Sequence, residues 1–202
     1  MNEEKKTSTS SSKEDAALIQ AFQSGDKAAF DELVLKHKDK LFNLCYWLLG
    51  DYHEANDSAQ ETFIKIYRSL KEFKFESTFS TWVYRITVNT CKNRLKSLEY
   101  RFKKRMVSLD NPGEQGSDDF SIEIGDESLS PMMELDKKER LMLIKKAINS
   151  LPSDKKTVVA LRDIEGLSYE EIAHITGFNL GTVKSKLARA RMELRKKLRS
   201  VI

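Results

Sequence analysis

From Phe30 onward, apolar residues return at spacings of three and four, and this periodicity constrains the fold more than any other feature of the chain. Phe30, Leu33, Val34, His37, Leu41, Leu44, Cys45 and Leu48 fall on one face of a helix that ends at Gly50. Three prolines and eight glycines in 202 residues leave too little turn material for a β-sandwich. The chain is therefore all-α, and its length allows either one large domain or two small ones, each with a modest core.

Asp51 is placed to cap a second helix, in which Ala55, Ala59, Thr62, Phe63, Ile66, Tyr67 and Leu70 make the buried stripe. Asp57, Gln60, Glu61, Ile64 and Arg68 make a second stripe on the far side. A third helix begins near Thr78 and runs to Lys96 or beyond. One of its faces carries Phe79, Trp82, Val83 and Ile86, and another carries Tyr84, Val88, Cys91, Leu95 and Leu98. Two packed faces place this helix inside a bundle, with Trp82 expected in the core. Its remaining stripe, Arg85, Asn89, Lys92, Lys96 and Lys103, is polar and basic throughout.

The formal charge is only +4, but binding to a polyanion depends on local clusters. Lys92 to Arg105 holds seven basic residues against the single acid Glu99, and Lys184 to Arg199 holds eight against Glu193. Between them, Met106 to Asp136 has no Lys or Arg and nine acids. Asp110 to Pro131 lacks sustained periodicity and reads as a flexible acidic linker. The expected organisation is thus two small helical domains, an N-terminal bundle over 15–105 and a C-terminal helix-turn-helix unit over 135–202. The acidic linker spans 106–134, and the Ser-rich, polar residues 1–14 are expected to be disordered. Leu135, Leu141, Ile144, Ile148 and Leu151 resume the helical pattern, which breaks at Pro152 and continues through Val158, Val159 and Leu161 to Gly166.

The C-terminal lobe carries the most specific local signal. Ser168-Tyr169-Glu170-Glu171 fits a capping box, with reciprocal bonds between Ser168 and Glu171. Gly177 suits the left-handed end of that helix, and Asn179 suits the cap of the next one, Leu180 to about Leu198. Two short helices joined this way, with the small Ala173 four residues before the turn, make a helix-turn-helix. Leu180, Val183, Leu187, Ala190, Leu194 and Leu198 face inward in the second helix. Thr182, Ser185, Lys186 and Arg189 then project from the opposite side, where a recognition helix meets base edges. The plain alternative is a solvated charged face. Lys184, Arg191, Arg195 and Lys196 lie further round or beyond and suit phosphate contacts.

Cys45 and Cys91 sit within apolar patterns, as buried free thiols do. His37, His53 and His174 have no ligand spacing, so no metal, cofactor or catalytic residue is predicted. The N-terminus has no apolar signal region, and the longest apolar run, Leu44 to Leu49, is too short to cross a bilayer. A cytoplasmic protein without membrane insertion is expected.

The motif Leu151-Pro152, then Ile164-Glu165-Gly166-Leu167-Ser168-Tyr169-Glu170-Glu171-Ile172-Ala173, then Gly181-Thr182-Val183-Lys184-Ser185-Lys186-Leu187-Ala188-Arg189-Ala190-Arg191 closely resembles the promoter-reading domain of extracytoplasmic-function (ECF) RNA polymerase sigma factors of the sigma-70 family. Asp57-Ser58-Ala59-Gln60-Glu61-Thr62-Phe63 resembles their polymerase-docking helix. Phe79-Ser80-Thr81-Trp82-Val83-Tyr84-Arg85-Ile86, with Asn89, resembles the start of their promoter-melting helix. Lys186 and Lys156 stand where the family usually has Arg, and Asn93 where it often has Asp. Lys186 thereby lacks the bidentate fork of Arg.

The resemblance implies a non-enzymatic initiation factor that binds core polymerase, reads minus-10 and minus-35 promoter elements and promotes melting, serving a stress or envelope-response regulon. It places Asp57, Gln60, Glu61 and Ile64 on the largest-subunit clamp of core polymerase, a solvated acidic face being the alternative, and makes the flap a further contact. Arg85, Asn89, Lys92 and Lys96 would lie on minus-10 DNA. The loop Lys74 to Thr78 would hold an unstacked base, with Phe75 as the stacking surface. Thr182, Ser185, Lys186 and Arg189 would read the minus-35 element, and an anti-sigma factor would be a further partner. A repressor or activator with the same helix-turn-helix would need a dimerisation or sensing domain, for which the docking and basic stripes leave no place. A DNA recombinase would need a nucleophile or a metal cluster, and no phosphate loop or ligand spacing is present.

Overall fold

The computed structural model describes residues 3–108 and 131–199, with side chains over 12–99 and 140–199. The described residues form helices and their connections: α1 (Glu3–Gln23), α2 (Ala28–Leu49), α3 (Tyr52–Ser69), α4 (Phe79–Ser108), α5 (Pro131–Asn149), α6 (Ser153–Val159), α7 (Tyr169–Thr176) and α8 (Leu180–Leu198). A 3-10 turn, Leu70–Glu72, follows α3, and a π-helical turn, Ala160–Ile164, extends α6. The expected all-α architecture stands. The linker expected over 106–134 narrows at both ends, because α4 runs to Ser108 and α5 begins at Pro131. Residues 109–130 lie outside the described residues.

The stretch expected to be disordered up to Glu14 belongs to α1, which starts at Glu3. Ile19 and Phe22 anchor the C-terminal half of α1 in the core, fully or nearly fully buried. Once docking holds a helix in place, adding turns to it costs far less than nucleating one. Asp15 is also buried, 3.2 Å from His37 Nε2 and 2.8 Å from Lys36 Nζ on α2. Burial opposes its charge, but these partners outweigh that and hold the carboxyl below its ordinary range.

The N-terminal lobe packs α2 against α3 and α4, with Leu33, Leu41, Leu44, Ile66, Val83 and Val88 at its centre. Tyr67, expected on the buried stripe of α3, is half exposed and packs edge-on against Phe22 and Phe30. Its ring covers the rim of the core at the edge of the solvent-facing surface. Trp82 is partly buried against Phe73 and Phe79. Cys45 and Cys91 are both buried free thiols, and their mutual hydrogen bond, then burial, pushes the Cys91 thiol well above its ordinary pKa.

In the C-terminal lobe Val158, Leu161, Ile172, Ile175, Val183, Leu187 and Ala190 form the centre. Leu180 departs from its expected inward position and is 40% exposed, since it opens the first turn of α8, before the stripe has rotated onto α7. Leu141 is likewise exposed, because α5 enters the core only toward its end, through Ala147 and Ile148.

The two lobes do not stand apart. α4 packs on α7, and α2 packs on α5, α6 and the π-turn, so buried residues from Ile19 to Ala190 belong to one continuous cluster. No described helix is long and apolar enough to cross a membrane.

Candidate nucleic-acid interface

The caps that orient the helix-turn-helix form as their spacing predicts. Glu171 N donates to Ser168 Oγ at 3.2 Å and Ser168 N donates to Glu171 Oε2 at 2.8 Å. Gly177 has φ 75°, where any β-carbon is strained, and its N–H returns to Ala173 O. Asn179 Oδ1 then accepts from Thr182 N at 2.7 Å and starts α8. The Ser168→Ala variant is expected to lose about 1 kcal/mol of stability, as loss of an N-cap generally does, measurable by urea denaturation.

α8 buries Val183, Leu187 and Ala190 and turns the opposite side outward. Ser185 and Arg189 are exposed, while Thr182 and Lys186 are partly covered. Lys186 Nζ pairs with Asp154 Oδ2 at 2.9 Å and also lies 4.9 Å from the centre of the Phe178 ring. Lys184, Arg195 and Lys196 are exposed, whereas Arg191 makes a forked pair with Asp163. A phosphate would have to share or displace that carboxylate.

On α4, Arg85, Asn89 and Lys96 are exposed and Lys92 is partly covered. The connection before α4 bends sharply at Phe75, whose φ of 59° is a left-handed conformation uncommon for an aromatic residue. This bend leaves the ring 43% exposed, 4.9 Å from that of Phe73. Beside it opens a cavity of about 320 Å³ bordered by Phe73, Lys74, Trp82, Arg85 and His174. Aromatic faces and polar groups thus lie side by side at this cavity.

The outer face of α3 is a different kind of surface. Asp57, Gln60, Glu61 and Ile64 are all exposed, Ile64 by 52%, opposite the buried Ala55, Ala59, Thr62 and Ile66. Arg94 of α4 pairs with Glu54 and, at 3.1 Å, with Asp57, which steadies one edge of this face.

Several residues that shape the site gave no functional signal in the sequence. Lys156 is 8% exposed, and its ammonium donates to Leu48 O at 3.2 Å and Asn149 Oδ1 at 3.3 Å. Burial lowers its pKa from the ordinary lysine value. Tyr84 donates to Glu165 Oε2 at 2.6 Å, and burial pushes the phenol pKa up and raises that of Glu165 as well. Periodicity marked Tyr84 as apolar packing but could not name a partner 81 residues away.

Residues 33–100 match the profile of sigma-70 region 2, and residues 141–194 match that of sigma-70 region 4. The RNA polymerase sigma-H factor of Pseudomonas aeruginosa is 38% identical over 94% of this chain and 96% of that protein. The chain belongs to the ECF sigma factors of the sigma-70 family. The ECF sigma-E factor of Haemophilus influenzae is 37% identical over 93% of this chain and 97% of its own length, and the ECF sigma factor SigW of Bacillus subtilis is 37% identical over 91% and 96%.

Among solved structures, CnrH in complex with the cytosolic domain of CnrY aligns with 93% of this chain and 98% of that one, with TM-score 0.64 and 22% identity. The sigma factor RpoE of Bartonella quintana, in complex with the anti-sigma factor NepR, aligns over 84% and 96%, with TM-score 0.64 and 24% identity. At such identity the likeness establishes the fold. As a sigma factor, this chain serves promoter recognition in transcription initiation.

Proposed function

We propose that this sigma factor divides its work among three surfaces, each on a different element. The α3 face of Asp57, Gln60, Glu61 and Ile64 binds the clamp of the largest polymerase subunit. The observation that carries this is the half-exposed Ile64 among acids, opposite a fully packed stripe: an apolar centre with a charged rim is the composition of a protein interface. The α4 stripe of Arg85, Asn89, Lys92 and Lys96 lies on minus-10 DNA, with Phe75 as the stacking surface for an unpaired base. Thr182, Ser185, Lys186 and Arg189 read the minus-35 element, while Lys184, Arg191, Arg195 and Lys196 hold phosphate.

The N-terminal unit, 15–105, and the C-terminal unit, 135–202, then act as two modules on either side of the acidic segment 106–134. Exposed Leu141, Met142 and Leu143 on α5 and Met192 on α8 support a second polymerase contact, with the flap. The chain performs no catalysis itself and works in the cytoplasm, where polymerase and promoter are found. An anti-sigma factor is a further partner, consistent with the complex in which RpoE was solved.

Run-off transcription with core polymerase on genomic promoter fragments tests the assignment. Specific transcripts are expected only when core and this chain are both present. Strand opening by the chain alone, seen as permanganate reactivity, would contradict it.

A further inference from the structure

The cations of α8 fall into two groups. Lys184, Arg189, Arg195 and Lys196 are exposed. Lys186 and Arg191 are instead joined to carboxylates. Lys186 Nζ lies 2.9 Å from Asp154 Oδ2, and Arg191 reaches both oxygens of Asp163, with its Nε 3.2 Å from Oδ2. Lys186 directly precedes the buried Leu187, and Arg191 directly follows the buried Ala190. The two pairs therefore flank the packed stripe of α8 on opposite sides.

Both carboxylates come from one packed support. Asp154 lies in the first turn of α6 and Asp163 in the π-turn that extends it, while the buried Val158 and Leu161 fix this segment in the core. α6 packs directly on α8. The one acid of α8 itself, Glu193, is paired with Lys155 of α6. A carboxylate carried on a packed helix keeps its place beside α8 when DNA arrives.

A cation gains affinity for duplex DNA by releasing condensed counterions, about 0.9 for each phosphate neutralised. An internal carboxylate cancels that gain in either of two ways. A cation that keeps its carboxylate neutralises no phosphate. One that turns to the phosphate leaves the carboxylate bare beside a polyanion, where it recruits a counterion of its own. Each pair thus withholds about one released counterion from every sequence, right or wrong. Hydrogen bonds from Thr182, Ser185 and Arg189 to base edges do not draw on this term.

We propose, on the reading that the outer face of α8 meets DNA, that Asp154 and Asp163 set the affinity of the minus-35 surface. They compete with phosphate for Lys186 and Arg191 and keep the grip on unrelated sequence weak. A factor that holds every duplex strongly is retained by the large excess of non-promoter DNA. With two of its cations engaged internally, this chain draws more of its hold from base contacts and leaves unrelated sequence sooner.

The test uses the full chain with Asp154→Asn, Asp163→Asn and both together, which remove charge and keep the size of the side chain. Anisotropy measures binding to a short mixed-sequence duplex across a potassium chloride series. At about 0.1 M salt each single variant is expected to bind about fivefold more tightly, and its slope of log affinity against log salt to steepen by about one unit, with about two for the double variant. Unchanged or weaker binding with an unchanged slope would overturn the proposal, since the carboxylates would then only fix α8 in place. If circular dichroism reveals lost helix in the Asn variants, Arg191→Gln in the otherwise native chain decides. It is expected to lower the slope by less than about half a unit, where Arg195→Gln lowers it by about one, and equal losses would overturn competition at Asp163. Failure of the reading of α8 has a separate sign: Lys184→Gln and Arg195→Gln would both leave duplex binding as it is in the native chain.

Discussion

Asp57→Arg combined with Ile64→Glu is expected to abolish holoenzyme formation while leaving the helical content of the chain unchanged. Both side chains lie on the outer face of α3, away from the buried Ala55, Ala59, Thr62 and Ile66, so neither change opens a cavity. Ile64 supplies the apolar centre of the face, and a carboxylate there would have to be desolvated against the partner. Asp57→Arg reverses the sign of the rim and sets a second guanidinium beside Arg94, whose pair with Glu54 remains. Central interface residues commonly cost about 2 kcal/mol or more each, so the pair should weaken docking by roughly a thousandfold. The local repulsion with Arg94 is exposed and worth well under that. Co-purification with core polymerase and far-ultraviolet circular dichroism check the two halves of the expectation. Loss of helix would mean that the stripe supports the fold, and the docking assignment would fail.

The second large effect concerns the division between specificity and affinity along α8. Arg189→Ala is expected to change which promoters are used, and Arg195→Ala only how tightly they are held. Arg189 is exposed on the side opposite Val183, Leu187 and Ala190, one turn beyond Ser185, within reach of a major groove entered by the first half of the helix. Arg195 lies near the C-terminal end, where groove curvature leaves the phosphates closer than the bases. Losing a base contact should cost about 1–3 kcal/mol on the preferred element and little on others. Losing a phosphate contact should weaken all sequences alike and reduce the salt slope by about one unit. Holoenzyme binding to matched and scrambled minus-35 duplexes across a salt series separates them. An unchanged sequence preference in Arg189→Ala would refute this orientation of the helix.

Arg191 and Lys186 show why such roles cannot be taken from position alone. Both fall in the basic run of α8, yet Arg191 is forked onto Asp163 and Lys186 is paired with Asp154. Their carboxylate partners lie 28 and 32 residues away, beyond the reach of any local pattern. For these two, a contact with DNA would exchange one anion for another, so the net gain would be smaller than at the exposed Lys184 or Arg195.

Local chemistry was sufficient for the helices and for the faces they present. The Ser168–Glu171 capping box, the Asp51 and Asn179 caps and the left-handed Gly50 and Gly177 all sit where the sequence places them, because each depends on residues within four positions of one another. The exposed stripe of α3 and the outward face of α8 follow from the same 3.6-residue period once the apolar side is known. Periodicity carries no information about what an apolar face packs against. Only the tertiary structure decided that Tyr84 meets Glu165, that Lys156 caps the end of α2 across the lobe boundary, and that one ring, Phe178, stands between Lys92 and Lys186. The same limit applies to α1, whose Ser-rich start resembles a disordered tail in composition but extends a helix anchored by Ile19 and Phe22. Contacts between groups far apart in sequence are set by the energy of the whole packed arrangement. Two lobes, each legible locally, therefore pack against each other in an arrangement that neither one encodes alone.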